Sequence, residues 1–158
     1  MSQIKKSLPG LDFPFVETFP SAALNLGPQT VCMPHRDSKN LAFGICCISA
    51  LGTFDPTQGG HLVLEELEIV VEFPPGSTVL IPSAVVTHSN TGIQAGEKRY
   101  SFTQYASGSL FAYVENNMRT DQTILEGAGE VEKKLWRLSR ATRWKQKLTM
   151  FPQFSTYE

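Results

Sequence analysis

The chain is short of cysteine, of histidine, of net charge and of long apolar runs, and each shortage narrows what it can be. Cys32, Cys46 and Cys47 are odd in number and two of them are adjacent. No disulfide framework is expected, and the chain reads as a protein of a reducing compartment, nuclear or cytoplasmic and not secreted. No stretch approaches the roughly eighteen apolar residues that span a bilayer, and the N-terminus lacks the apolar centre of a signal peptide, so no membrane partner is expected. A net charge of -1 argues against a generally basic nucleic-acid binder but leaves room for a local basic patch. With His35, His61 and His88 the only histidines, any imidazole-based metal site has few possible members.

What is present favours strands. Twelve Gly and ten Pro are spread between short runs of Val, Ile, Phe and Thr, a pattern of many strands and turns. The spacing predicts strands over 22–26, 30–37, 41–51, 61–64, 67–73, 78–81, 85–89 and 98–106. The run 41–51 is apolar on both faces, as a strand buried in mid-sheet should be. Glu65, Glu66, Glu68 and Glu72 read as a charged strand edge that resists edge-to-edge pairing. Residues 1–158 are expected to form a single domain, mainly β, of sandwich or jelly-roll type over 22–106, followed by an α-helix over 130–148 that contains neither Gly nor Pro. That helix carries Val131, Leu135 and Leu138 on one stripe and Lys133, Arg137, Arg140, Arg143 and Lys147 opposite, with Trp136 and Trp144 among them. Its basic face reads first as a solvated surface and second as a grip on phosphates and bases.

The chemistry concentrates in Pro34-His35-Arg36-Asp37-Ser38-Lys39-Asn40. Met33 precedes a proline and is pushed towards an extended conformation, and on an extended segment His35 and Asp37 leave the same face. An imidazole and a carboxylate so placed are two thirds of a facial metal site. The third member is expected to be His88, because enough strands intervene for the chain to return to its starting sheet; His61 follows Gly59-Gly60 and is expected to be structural. Two imidazoles and one carboxylate suit non-haem Fe(II) with three open positions, and zinc in tetrahedral geometry accepts the same donors. Arg99 follows His88 after ten intervening residues, with Ser101 on its face. A guanidinium fork pairs bidentately with a carboxylate, and a neighbouring hydroxyl adds a hydrogen bond. The competing role for Arg99 is an ion pair with Glu97 or Glu72, and for Asn40 a simple turn residue.

With these residues in this order, the stretch from Ala22 to Ala106 resembles the Fe(II)/2-oxoglutarate-dependent dioxygenases, whose core is a double-stranded β-helix, a cupin-like jelly roll. His35-Arg36-Asp37-Ser38-Lys39-Asn40 looks like the HxDxxN form found in the TET/JBP group of nucleic-acid thymine or 5-methylcytosine oxygenases. FPPGSTVLIPSAVVTHSNT and GEKRYSFTQY are similar to a fungal, transposon-associated set of that kind. The resemblance implies that His35, Asp37 and His88 hold Fe(II), that Arg99 binds the distal carboxylate of 2-oxoglutarate, and that Asn40 meets a base edge at the pocket mouth. Ser101 as a helper to Arg99 comes from spacing alone. The implied reaction couples oxidative decarboxylation of 2-oxoglutarate, giving succinate and CO2, to hydroxylation of a methyl group in DNA or RNA. A base in a duplex must be flipped out to reach such a pocket. The alternatives are the same enzyme class acting on a protein side chain or small metabolite, and a non-catalytic jelly-roll binding module. The segment before Ala22 is shorter than the helical support such cores usually carry, and nothing in the sequence fixes an oligomeric state.

Overall fold

The computed structural model describes residues 2–10 and 18–151. The chain divides into two compact units, Met1–Leu110 and Phe111–Glu158. The first opens with helix α1 (Ser2–Ser7) and holds the strands β1 (Ser21–Asn25), β2 (Cys46–Thr53), β3 (Leu62–Leu64), β4 (Ile69–Val71), β5 (Thr78–Ile81), β6 (His88–Asn90) and β7 (Lys98–Tyr105). Helix α2 (Gly108–Glu115) follows, and the second unit contains α3 (Asp121–Gly127) and α4 (Glu130–Lys147).

The strands form two antiparallel sheets, ordered β1-β7-β2-β5 and β4-β3-β6. The first and last strands of the unit lie side by side at the edge of the larger sheet, and the chain crosses between sheets rather than meandering within one. The core joins both layers. Ala50 of β2, Ile81 of β5, Leu62 and Leu64 of β3, and Phe54 and Phe73 from the intervening loops pack as one buried cluster, with Ile48, Val71 and Val79 against it. Burial of such side chains stabilises by about 1.5–3 kcal/mol each, so this cluster is what holds the two sheets together.

Four of the expected strands are shorter or less regular than their sequences suggest; the one expected over 85–89 is only His88–Asn90, since the Val85 and Val86 N–H groups turn back to the Pro82 carbonyl. The segment 30–37 joins no sheet; it meets β6 through the isolated bridge of His35 with His88, and the bridge of Gln29 with Arg99 lies just before it. Pro34 has no N–H to give a ladder, and the N–H of Cys32 donates to the side chain of Asn90 at 2.8 Å instead of to a strand. The strand expected from Leu41 begins only at Cys46, because Leu41–Gly44 closes a turn through a 2.8 Å bond from the Gly44 N–H to the Leu41 carbonyl. Glu65–Leu67 form a 3-10 turn ending at Glu68 with φ 55°, which leaves β4 only Ile69–Val71. Glu65, Glu66 and Glu68 therefore lie in a turn and not on a strand edge, while Glu72 directly follows the edge strand β4.

In the second unit, Asp121 at the start of α3 accepts from Asn116 at 2.9 Å and from Arg140 of α4 at 2.6 Å. Arg140 also lies 5.1 Å over the Trp136 ring, and Lys133 pairs with Glu130. Two cations of the basic face are thus spoken for. Val131, Leu135 and Leu138 are exposed, and the side chains of Arg143, Trp144 and Lys147 lie outside the described residues.

Candidate metal centre

His35 sits on the irregular segment beside β6, and His88 opens β6. The two histidines exchange backbone bonds, His88 N–H to the His35 carbonyl at 2.9 Å and His35 N–H to the His88 carbonyl at 3.1 Å. Directly paired residues on antiparallel chains project to the same side, and the rings meet with centroids 4.4 Å apart, tilted by 48°. Asp37 follows two residues after His35 and faces the same way, its Oδ1 3.6 Å from His35 Nε2. One donor atom from each of His35, Asp37 and His88 lies within 4.8 Å of the others. Bonds of about 2.1 Å to a common ion would put right-angled donors about 3 Å apart, so the donor atoms would close in on one another by up to about 2 Å on sharing one.

Both imidazoles are prepared in the same way. Nδ1 of His35 is 2.7 Å from the Met33 carbonyl, and Nδ1 of His88 is 3.0 Å from the Val86 carbonyl. A carbonyl only accepts, so each Nδ1 carries the proton and each Nε2 keeps its lone pair for a cation. Asp37 is braced as well. Its N–H donates to the Ser83 carbonyl at 2.9 Å, and its Oδ2 accepts from Asn40 Nδ2 at 3.1 Å. The Asn40 amide also reaches Ser83 Oγ at 3.3 Å. Beneath them, Ser83 and Cys46 are almost wholly buried, and burial pushes the Cys46 thiol up to about 11, which makes it inert. The donor set fits a hard or borderline divalent cation, since it contains no thiolate.

These residues open on a cavity of about 540 Å³ that also contains Arg99, Ser101, Cys32 and Asn90. Arg99 and Ser101 stand two apart on β7 and share its inner face; Arg99 pairs with Gly52 and Ser101 with Ala50 and Asn25. Gly52 is obligatory here. It has φ 122°, and a Cβ would lie 2.2 Å from the Lys98 carbonyl oxygen. Arg99 is 3% exposed. Among the described residues its guanidinium reaches only the Thr30 carbonyl, at a long 3.4 Å, and its buried Nε finds no hydrogen-bond partner. Burial pulls its pKa below the ordinary arginine value, yet a guanidinium stays charged in proteins. A buried, charged, under-bonded guanidinium is costly unless an anion completes it. Neither Glu97 nor Glu72 does so; Glu97 accepts from the Asp55 and Gln94 N–H groups. Ser101 Oγ accepts from Asn25 Nδ2 at 2.8 Å, leaving its own proton to donate.

Of the residues singled out in the sequence, His35, Asp37, Asn40, His88, Arg99 and Ser101 all line this cavity. His61 is absent from it, and its N–H donates to Thr91 Oγ1. Sequence reading missed Asn25, Cys32 and Asn90. Asn90 was within reach, being two residues after His88 and on the same face of β6.

No protein-family model and no curated protein matches the sequence. Among solved structures, the chain is similar to NgTET1 in complex with 5mC DNA, at TM-score 0.52 and 21% identity, over 68% of this chain and 42% of that one. It spans less than half of that protein, and the likeness is one of fold. A weaker similarity, TM-score 0.39 and 12% identity over 66% of this chain and 69% of the other, links it to the viral collagen prolyl hydroxylase vCPH from Paramecium bursaria Chlorella virus-1 in its 2OG complex.

Proposed function

We propose that the chain is an Fe(II)/2-oxoglutarate-dependent oxygenase of TET/JBP-like type, hydroxylating a methyl group on a nucleic-acid base, 5-methylcytosine or thymine. The observation that carries this reading is the convergence of His35, Asp37 and His88 within 4.8 Å in the same cavity as the buried, under-bonded Arg99. In this reading the two sheets are the halves of a double-stranded β-helix over residues 22–106. The fold shared with NgTET1, a protein in complex with 5mC DNA, favours a nucleic-acid substrate.

Iron(II), when bound with 2-oxoglutarate and dioxygen, would supply the oxidative decarboxylation and the C–H hydroxylation. The chain's own part is to hold and orient. Nε2 of His35, Nε2 of His88 and a carboxylate oxygen of Asp37 would hold the ion, their directions set by the Met33, Val86 and Asn40 hydrogen bonds. Arg99 would take the distal carboxylate of 2-oxoglutarate through its unpartnered edge, with the Ser101 hydroxyl donating beside it. Ile48, Leu62 and Phe73 form the apolar side of the cavity and exclude water from the reacting groups. The Asn40 Nδ2 is committed to Asp37 and Ser83, so a base edge would meet its Oδ1.

The test is incubation with Fe(II), 2-oxoglutarate, ascorbate and dioxygen on DNA carrying 5-methylcytosine or thymine, with mass spectrometry of succinate and of the nucleosides. Matched amounts of succinate and hydroxymethylated base are expected, both lost in His88→Ala. Metal-dependent succinate without an oxidised base would overturn the substrate and keep the enzyme class. No metal-dependent succinate under any condition would overturn both.

A further inference from the structure

His35 and Asp37 stand on a segment that belongs to no sheet, yet their donor atoms are held within 4.8 Å of His88. The intervening side chain is part of what holds them. Arg36 lies between the two proposed ligands, and Thr87 immediately precedes His88, the first residue of β6. Both meet Glu66 on the 3-10 turn behind the site. The Glu66 carboxylate accepts from the Thr87 N–H at 2.6 Å, from Thr87 Oγ1 at 2.6 Å and from Arg36 Nη2. Arg36 Nε donates to Thr87 Oγ1 at 3.0 Å, closing a ring of hydrogen bonds among residues far apart in sequence. The turn that presents Glu66 is itself pinned, the Glu65 N–H donating to the Thr87 carbonyl at 3.0 Å.

We propose that Arg36, Glu66 and Thr87 form a clasp that fixes the spacing between the His35/Asp37 segment and His88 before any metal arrives. This inference rests on the metal-centre reading. Glu66 and Thr87 lie outside the cavity, which Arg36 lines at its edge; the three are positioning residues that act through the backbones of the residues that would hold the ion. An exposed Arg–Glu pair alone adds little to global stability. A carboxylate that also accepts a backbone N–H and a hydroxyl forms charge-assisted bonds of definite direction, and here those bonds tie together two chains whose shared backbone ladder at the site is one bridge. The expected consequence is therefore local: loss of the clasp loosens the donor geometry and leaves the β core intact. Contacts behind metal ligands typically alter affinity by about 10–100-fold when removed; acting at one residue's remove, this clasp is expected to sit near the lower end.

The test is Co(II) binding to the full chain by calorimetry and visible spectroscopy, with thermal unfolding of the metal-free proteins in parallel. Wild type is compared with Glu66→Ala, Glu66→Gln, Thr87→Val and Thr87→Ser, and His35→Ala reports on the centre itself. Glu66→Ala and Thr87→Val are expected to bind Co(II) about tenfold more weakly, with altered ligand-field spectra and an apo Tm lowered by no more than a few degrees. Thr87→Ser keeps the hydroxyl and is expected to bind as wild type does. Wild-type affinity in a folded Glu66→Ala, or a loss of affinity accompanied by a drop in apo Tm of more than about ten degrees, overturns the clasp. Should Glu66→Ala not fold, Glu66→Gln and Thr87→Val carry the same comparison. Wild type that takes up no Co(II), or His35→Ala that binds equally, overturns the metal centre and the clasp with it.

Discussion

Two regions of the first unit each deliver a pair of side chains, two residues apart, to one cavity, and they do so by opposite means. β7 presents Arg99 and Ser101 from a regular ladder, paired along its length with β2 and over its C-terminal part with β1. The segment 30–40 presents His35 and Asp37 with no ladder at all, held by isolated bridges and by the side chains of Asn90, Asn40 and Glu66. A position fixed by sheet hydrogen bonds is indifferent to most neighbouring substitutions. A position fixed by side chains can be loosened one residue at a time. The Arg99 side of the cavity should therefore be robust, and the side carrying the proposed metal ligands tunable.

The ladder side breaks only where its backbone is forced. Gly52→Ala places a methyl group 2.2 Å from the Lys98 carbonyl at φ 122°, and unfolding measurements should show a loss of at least about 2 kcal/mol, the largest effect foreseen. Arg99→Lys keeps the charge and the ladder but not the fork. Binding of 2-oxoglutarate to the metal-loaded protein should weaken about tenfold or more, with metal affinity unchanged.

On the other side, Asn40→Ala removes the brace on Asp37 Oδ2. Metal affinity should fall about tenfold, read by Co(II) calorimetry; unchanged affinity with a raised KM for DNA would mean that the amide serves the substrate instead. The smallest effect concerns acid. The Glu66 carboxyl is held down at about 2 from an ordinary 4.5, first by the Thr87 hydroxyl and then by Arg36. A depressed carboxyl contributes stability above its unfolded pKa and loses it as pH falls through the folded one. The stability difference between wild type and Glu66→Gln should be constant above pH 4.5 and fade as pH falls to about 2, as followed by denaturant midpoints.

The candidate site was more legible than the fold around it. His35 and Asp37 share a face whether the segment is a true strand or merely extended, so the i, i+2 reading survived the loss of the ladder. Arg99 and Ser101 share theirs for the same reason. The regularity of 30–37 and the start of β2 were misjudged because local pattern cannot show that an Asn90 side chain takes a backbone N–H, or that Leu41–Gly44 turns on itself. Glu66 looked like an edge charge because its partners, Arg36 and Thr87, are distant in sequence and meet it only after β3 and β6 have paired. Asn40 lines the cavity, but its commitment to Asp37 and Ser83 depends on the loop after β5 that carries Ser83, which local pattern does not place beside it.

The most direct measurement is anaerobic Fe(II) uptake by metal-free protein in the presence of 2-oxoglutarate, wild type against His88→Ala, with circular dichroism confirming that both are folded. One equivalent of iron on the wild type and none held by the variant is the expected result. Folded wild type that takes up no iron, or a variant that takes up as much, contradicts the proposed centre.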